Sequence, residues 1–373
     1  MIALIIRRVG IMALTMLAMS FLVFTAVERN PDGIARKAEG QFTTAAQRAS
    51  WLVSKRYYVS VNQDDPEGRK EHTDKGRLLY PIGEEGKMLV VHPPAEDTVL
   101  SNKETIAEMN DDEYYLLEPV RVPLLIRYGR WLQRFAVGDF GDSYRFKVPV
   151  SEVLWGRLGN TGILAGLVML IMIPLSLFLG IMAGIREGSL QDRSFSLIAI
   201  TTTSVPEFAS AVLFVAAFTF WLQWLPGTSS MIAGFEWNQM VMPVAVLVLY
   251  GSGYIARITR ASMAEVMRSP FIRTAILKGL PYRTVIMRHA LRNALITPVT
   301  VIMLQLPWLL SGVIVVEYFF AYRGFGSLLW EAANNTDPFL IEACAMVAVV
   351  VVVTSQLIAD IIYTYINPRI RFQ

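Results

Sequence analysis

The sequence is short of the residues from which most catalytic sites are built. It has one cysteine, Cys344, so an intrachain disulfide and a cysteine-based metal site are both excluded. Histidine occurs three times, at His72, His92 and His289. Two of these fall in an early polar segment and the third in a late basic one, so no metal site is expected. The phosphate-cradling pattern G-x-x-x-x-G-K-[ST] is missing, since Gly83-Glu84-Glu85-Gly86-Lys87-Met88 lacks both its spacing and its hydroxyl. ATP hydrolysis by this chain is therefore not expected, and neither is an enzyme. Charge is also scarce. Only 17% of the 373 residues are charged, where a soluble domain carries about a quarter. The net charge of +3 hides a strong segregation of bases, and no nucleic-acid partner is expected.

Apolar residues are abundant, at 54%, and they are clustered. Six runs stand out: 9–27, 161–185, 195–225, 240–255, 294–316 and 339–366. Each approaches or exceeds the roughly 20 helical residues needed to cross about 30 Å of hydrocarbon. Each must be helical, because backbone amides in lipid need partners within their own segment. Pro174, Pro206, Pro298 and Pro307 lie inside these runs, where proline is tolerated and marks kinks. The expected fold is an all-α polytopic membrane protein with six transmembrane helices.

Basic residues set the expected orientation. Arg257, Arg260, Arg268, Arg273, Lys278, Arg283, Arg288 and Arg292 lie between runs four and five, opposed only by Glu265. Arg7 and Arg8 flank the first run, and Arg369 and Arg371 follow the last. With six spans all three clusters share one side, and the positive-inside rule makes that side the cytoplasm. Both termini are then cytoplasmic, in a multi-pass membrane protein. The segment 28–150, with 18 Lys and Arg against 20 Asp and Glu, falls outside. A cleaved signal peptide is the alternative for the first run, but its apolar stretch is long for one and no clear A-x-A site follows.

The expected domains are an N-terminal span (1–27), an external insert (28–120), an amphipathic helix and loop (121–150), and a five-helix core (151–373) carrying a cytoplasmic loop at 257–292. The insert reads as a small α+β unit. Strands are predicted at 57–61, 77–80 and 88–91, a hairpin loop at 81–86 and a short helix at 105–113. In the next segment Leu124, Leu125, Tyr128, Trp131, Leu132 and Phe135 recur at helical spacing, with Arg127, Arg130 and Arg134 on another face. Such a helix lies in the membrane interface or packs over the spans, and the two readings are compatible.

The basic loop holds two short helical stretches separated by Gly279, which suits a left-handed C-cap, with Lys278 at the negative end of the helix dipole. Arg273-Thr274-Ala275-Ile276-Leu277-Lys278-Gly279-Leu280 and Arg288-His289-Ala290-Leu291-Arg292-Asn293-Ala294-Leu295-Ile296 resemble the conserved cytoplasmic loop of binding-protein-dependent ABC importer permeases. The resemblance is to the dipeptide/oligopeptide/nickel permease family in particular. Leu277 stands where that family has a small residue, and Thr297 intervenes before Pro298. Gly138-Asp139-Phe140-Gly141-Asp142-Ser143, Gly324-Phe325-Gly326 and Asn367-Pro368-Arg369-Ile370-Arg371 resemble further family motifs, with Asn367 in place of an acid. The resemblance covers the first span and residues 120–373 but not the insert at about 40–118.

The resemblance implies a type I ABC importer permease that transports a peptide or peptide-like solute. Its partners would be a second homologous permease, two ABC ATPase subunits that hold ATP and Mg, a periplasmic or lipid-anchored solute-binding protein, and membrane lipid. The helix before Gly279 would dock on an ATPase subunit and carry its closure into the membrane. The expected coupling residues are Glu265, Phe271, Arg273, Thr274, Ala275, Lys278, Gly279 and Leu280. Read alone, the same bases could serve only as topology determinants facing lipid phosphates.

Intramembrane acids are functional candidates by default. Pro206 and Glu207 are candidates for the translocation pathway, with a helix–helix hydrogen bond as the alternative for Glu207. Glu317 and Asp337 read as hydrated loop residues near the outer end. Tyr57, Tyr58, Tyr114 and Tyr115 are candidate contacts to the binding protein, because tyrosine is enriched at binding hot spots. The rival functions are an ion-coupled secondary transporter, a permease for an oligosaccharide, opine or nickel, and a membrane sensor. The first would favour internal repeats and mid-span acids, and the last would need a cytoplasmic output domain.

Overall fold

The computed structural model describes residues 2–28, 33–36, 51, 79–82, 87–91, 97–100, 124–231, 234–310 and 313–366. Four helices are long and apolar enough to cross a membrane: α1 (Ile2–Val27), α3 (Val150–Ile185), α6 (Trp237–Met267) and α12 (Pro338–Ile366). Two bent pairs follow the same rule. They are α4 (Leu190–Ser204) with α5 (Glu207–Trp221), and α8 (Tyr282–Ala294) with α9 (Ile296–Leu310). Counting each pair once gives up to six spans. The shorter helices are α2 (Leu124–Ala136), α7 (Pro270–Leu277), α10 (Ile314–Phe319) and α11 (Phe325–Asn335).

Both bends have local causes. α4 and α5 meet at 101°. Proline disfavours helical backbone in the residue before it, and Val205 is extended (φ −90°, ψ 123°), with Pro206 opening α5. α8 and α9 meet at 49°. Pro298 has no N–H for the carbonyl of Ala294, four residues earlier, and the Ser262 hydroxyl donates to that carbonyl instead, at 2.7 Å.

The chain divides into two units. One comprises residues 1–16, 152–334 and 344–373. Its core gathers Val168 and Met172 of α3, Val246, Leu247 and Ile255 of α6, and Phe320 after α10. Small residues bring its long helices together. A Cβ at Gly180 would lie 2.5 Å from Thr259 Cβ, and one at Gly184 2.6 Å from Met263 Cβ. A Cβ at Gly253 would sit 2.8 Å from the Ala199 carbonyl oxygen. Close backbone approach at small residues is how helices associate where lipid removes the hydrophobic drive.

The other unit comprises residues 17–151 and 335–343. Here β1 (Leu79–Ile82), β2 (Lys87–Val91) and β3 (Asp97–Leu100) form an antiparallel sheet in the order β1-β2-β3, with Tyr80 opposite Leu89 and Leu89 opposite Val99. β1 and β2 pair as a hairpin would, but Pro81 and Ile82, expected in its loop at 81–86, belong to β1, and residues 83–86 lie outside the described residues. β3 adds a strand that the residue pattern did not single out. The strand expected at 57–61 and the helix at 105–113 lie outside the described residues.

In the same unit α2 lies against the last turns of α1. Phe24, 1% exposed, contacts Tyr128 and Trp131 with ring centroids 5.6 and 5.5 Å apart, and Ser20 Oγ is 2.6 Å from the Tyr128 hydroxyl. Arg127 turns inward to form an ion pair with Glu28. Leu125 and Ile126 remain exposed. α2 thus packs on a span with one face and leaves an apolar face open.

Three expectations change. α3 begins at Val150, eleven residues before the second apolar run. α6 continues to Met267, so Arg257, Arg260 and Glu265 sit on a helix and the connecting loop is short. Glu317 and Asp337, expected to be hydrated, are 0% and 1% exposed. Asp337 accepts from Ser143 Oγ at 2.6 Å and from the Arg145 N–H at 3.1 Å. The G-D-F-G-D-S segment is therefore the turn that presents Ser143 to a buried acid. Gly141 (φ +79°) makes the tight bend, and a Cβ there would meet the Phe339 ring at 3.3 Å.

Candidate functional site

The segment after α6 is built by local rules. Ser269 returns its hydroxyl to the Val266 carbonyl at 2.5 Å, and Pro270 occupies the first position of α7, where its missing N–H costs nothing. Eight residues later the helix closes in a Schellman motif. Gly279 N–H bonds to the Ile276 carbonyl at 2.9 Å, and Leu280 N–H to the Ala275 carbonyl at 3.4 Å. This requires a left-handed backbone at residue 279, and Gly279 has φ +75°. Pro281 then opens α8, whose middle, Val285–Ala290, is π-helical between short α-helical ends.

α7 has two faces. Ile272 and Ala275, one turn apart, are buried with Met263, Val285, Ala290 and Ala294. The opposite face exposes Phe271, Arg273, Thr274, Ile276 and Leu277, the last at 79%. Lys278, Gly279 and Leu280 continue this exposed surface, and Glu265 is exposed at the end of α6. Of the expected coupling residues only Ala275 points inward, where it roots the helix. Leu277, bulky where a small residue is expected, is thus exposed, and beside it lie Ile276, Tyr282 and Met287, exposed apolar groups that the residue pattern did not single out. The spacing of Ile272 and Ala275 carries that signal, because burying i and i+3 turns 273, 274 and 277 outward.

The segment is tied to the spans by a charge network. Arg260 of α6 forks onto Asp192, Nε to Oδ1 at 2.8 Å and Nη2 to Oδ2 at 2.7 Å. Asp192 is 3% exposed and also accepts from the Gly188 N–H at 2.8 Å. Arg268 pairs with Glu187 at 2.7 Å. Bidentate charge-assisted bonds of this kind fix orientation as well as adding energy.

At the far end of the same unit, Glu317 forms a second buried centre between the spans. It accepts from Thr161 Oγ1 at 2.6 Å and from the Ser327 N–H at 2.9 Å. Burial pushes its carboxyl above the usual carboxylate range, against these hydrogen bonds, which pull it down. Thr161 Oγ1 in turn accepts from the Phe325 N–H at 2.7 Å. The Gly324-Phe325-Gly326 loop thus wraps a carboxylate held by α3.

The same unit also holds an open polar cavity of about 510 Å³, lined from α4, α6 and α9. Pro206 and Glu207 are not among its lining residues. They form the α4–α5 corner beside it, where Glu207 Oε2 is buried with no hydrogen-bond partner among the described residues. Tyr57, Tyr58, Tyr114 and Tyr115 lie outside the described residues. Among the described residues no group of three or more His, Cys, Asp and Glu could hold a metal ion.

Comparison with known proteins gives a concordant result. Residues 176–372 match the model of the family described as binding-protein-dependent transport system inner membrane component. The oligopeptide transport system permease protein OppB of Salmonella typhimurium is 31% identical over 280 residues, covering 74% of this chain and 86% of its own length. The dipeptide transport system permease protein DppB of Alkalihalophilus pseudofirmus is 33% identical, covering 67% and 82%. The glutathione transport system permease protein GsiC of Salmonella paratyphi A is 32% identical, covering 67% and 81%. A chain from the crystal structure of an amino acid ABC transporter aligns with a TM-score of 0.46 at 14% identity, over 58% of this chain and 94% of its own. The chain belongs to the family of binding-protein-dependent transport system inner membrane components.

Proposed function

We propose that this permease subunit of an ABC importer forms half of a translocation pathway for a peptide or peptide-like solute. A second homologous permease completes the pathway, and two ATPase subunits holding ATP and Mg drive it from the cytoplasm. A periplasmic or lipid-anchored binding protein delivers the solute. The chain crosses the inner membrane six times with both termini in the cytoplasm, and residues 28–120 form an external cap over the delivery face. The relatives named for oligopeptide, dipeptide and glutathione transport support the substrate class.

The observation that carries this reading is α7. It is an eight-residue helix rooted by Ile272 and Ala275, closed by Gly279, and presenting an exposed apolar and cationic face between two membrane-crossing helices. A rigid short helix of this kind is suited to seat in a groove of a partner and to move with it. The test is reconstitution of the complex with its binding protein in liposomes, with and without the ATPase subunits. Uptake of a tripeptide should require ATP. It should also vanish when 270–277 is replaced by a glycine-serine linker that leaves the permease pair in the membrane. Tripeptide uptake that continues without the ATPase, or with the linker in place, would overturn the reading.

A further inference from the structure

The lining of the 510 Å³ chamber has an unusual balance of charge. α6 contributes Tyr250, Tyr254 and Arg257, spaced four and three residues apart and so on one face of the helix. Arg257 lies ten residues before the end of α6, about 15 Å along its axis. α4 contributes the hydroxyls of Thr203 and Ser204, and α9 adds Gln305 and Trp308. Trp308 lies over Tyr250 with ring centroids 5.8 Å apart. Among the described lining residues there is one cation and no carboxylate.

The neighbouring cations of α6 are treated differently. Arg260, one turn on, is neutralised by Asp192 and flanked by Glu187, and Arg268 is paired with Glu187. Arg257 has no ion pair among the described residues. Arg257 is itself exposed, on the open side of this polar cavity. A guanidinium without a counter-ion there is a site for an anion that arrives from elsewhere, and its planar fork matches a carboxylate in two parallel hydrogen bonds. The surrounding hydroxyls and the Gln305 amide can exchange hydrogen bonds with a peptide backbone. The aromatic walls accept side chains of varied shape.

We infer that the chamber binds the passing solute and that Arg257 takes its carboxylate, so the carrier selects solutes with a free carboxylate end. This rests on the transport reading above and deepens it. The binding is transient. A hydrogen-bonded charge contact of ordinary strength gives selectivity of about tenfold, which is weak enough for release.

The experiment uses the complete complex with its binding protein in liposomes and two probes, trialanine and trialanine amide. The readout is the acid-to-amide ratio of initial uptake rates. Selectivity of the binding protein enters every variant equally, so a change in the ratio isolates the permease. Arg257→Gln should lower trialanine uptake about tenfold, leave the amide rate unchanged and collapse the ratio. Arg257→Lys, which keeps the charge but not the fork, should retain most of the ratio. Copurification of all subunits shows that each variant assembles. If Arg257→Gln lowers both rates alike, or neither, the inference is overturned while the transport reading stands. If the assembled wild-type complex moves neither probe, the peptide reading fails and the inference fails with it.

Discussion

The carboxyl group of Glu317 occupies the space that a side chain at Gly324 would need. A Cβ built on Gly324 would overlap Glu317 Cδ and both oxygens, and one on Gly326 would sit 3.0 Å from Oε2 and from Ile314 Cα. The glycines of this loop are therefore dictated by a buried acid seven to nine residues earlier in the chain.

Gly324→Ala should destabilise the protein by about 2 kcal/mol or more, as overpacking of a closed site does. Gly326→Ala should be milder. Gly166→Ala on α3, where a Cβ would meet nothing within 4 Å, should be neutral or slightly stabilising through helix propensity. Thermal unfolding in detergent reads all three. Equal melting temperatures for Gly324→Ala and Gly166→Ala would show that the loop does not close on Glu317.

Arg260→Ala should cost about 3 kcal/mol, because it strands the buried Asp192 carboxylate. The double substitution Arg260→Ala with Asp192→Ala should cost less than the sum of the two single ones. A strictly additive cycle, measured by denaturation in detergent, would mean that the pair does not couple.

Gly279 has open space around its missing Cβ, so substitutions there act only through the backbone. Asn tolerates positive φ, Ala pays about 1 kcal/mol and Val more. ATP-driven uptake should fall in the order Gly, Asn, Ala, Val while membrane insertion stays normal. Unchanged uptake and ATPase stimulation in Gly279→Val would remove α7 from the coupling route.

A topology reporter fused after Gly279 should read cytoplasmic, and one near Glu85 external. This follows from the surplus of bases between residues 257 and 292. A reporter at Gly279 that reads external would reverse every span.

Replacing residues 40–118 with a flexible linker should leave assembly of the complex intact and reduce delivery from the binding protein severalfold. Surface plasmon resonance and uptake together test this. Normal uptake by an assembled, shortened complex would leave the insert without a part in delivery.

Much of this structure was legible in the residue pattern, for a definable reason. Spans and the α7 turn follow from rules that act within about 20 consecutive residues, such as hydrocarbon thickness and the left-handed glycine cap. The unread parts depend on distant partners. Glu317 looks like a solvated acid until Thr161, 156 positions earlier, is known to donate to it, and Asp337 until Ser143, 194 positions earlier, does so. Arg257 reads as one more topological base, because only the fold of α4 and α9 shows that it faces a cavity. Ala275 reads as one of the coupling residues, because Val285 and Ala290, which cover it, follow the turn.

α6 has a mechanical consequence. It runs unbroken for 31 residues, from Trp237 to the threshold of α7, and thus measures about 46 Å. Arg257 and Tyr250 ride on the same rod as Met263, on which α7 is rooted. A tilt of about 5° about its far end, transmitted as a rigid body, would sweep the α7 end through about 4 Å and Tyr250 through about half of that. The helix is then a lever whose long arm is the loop and whose short arm is the chamber wall, so a displacement imposed at α7 reaches the passage reduced in length and multiplied in force.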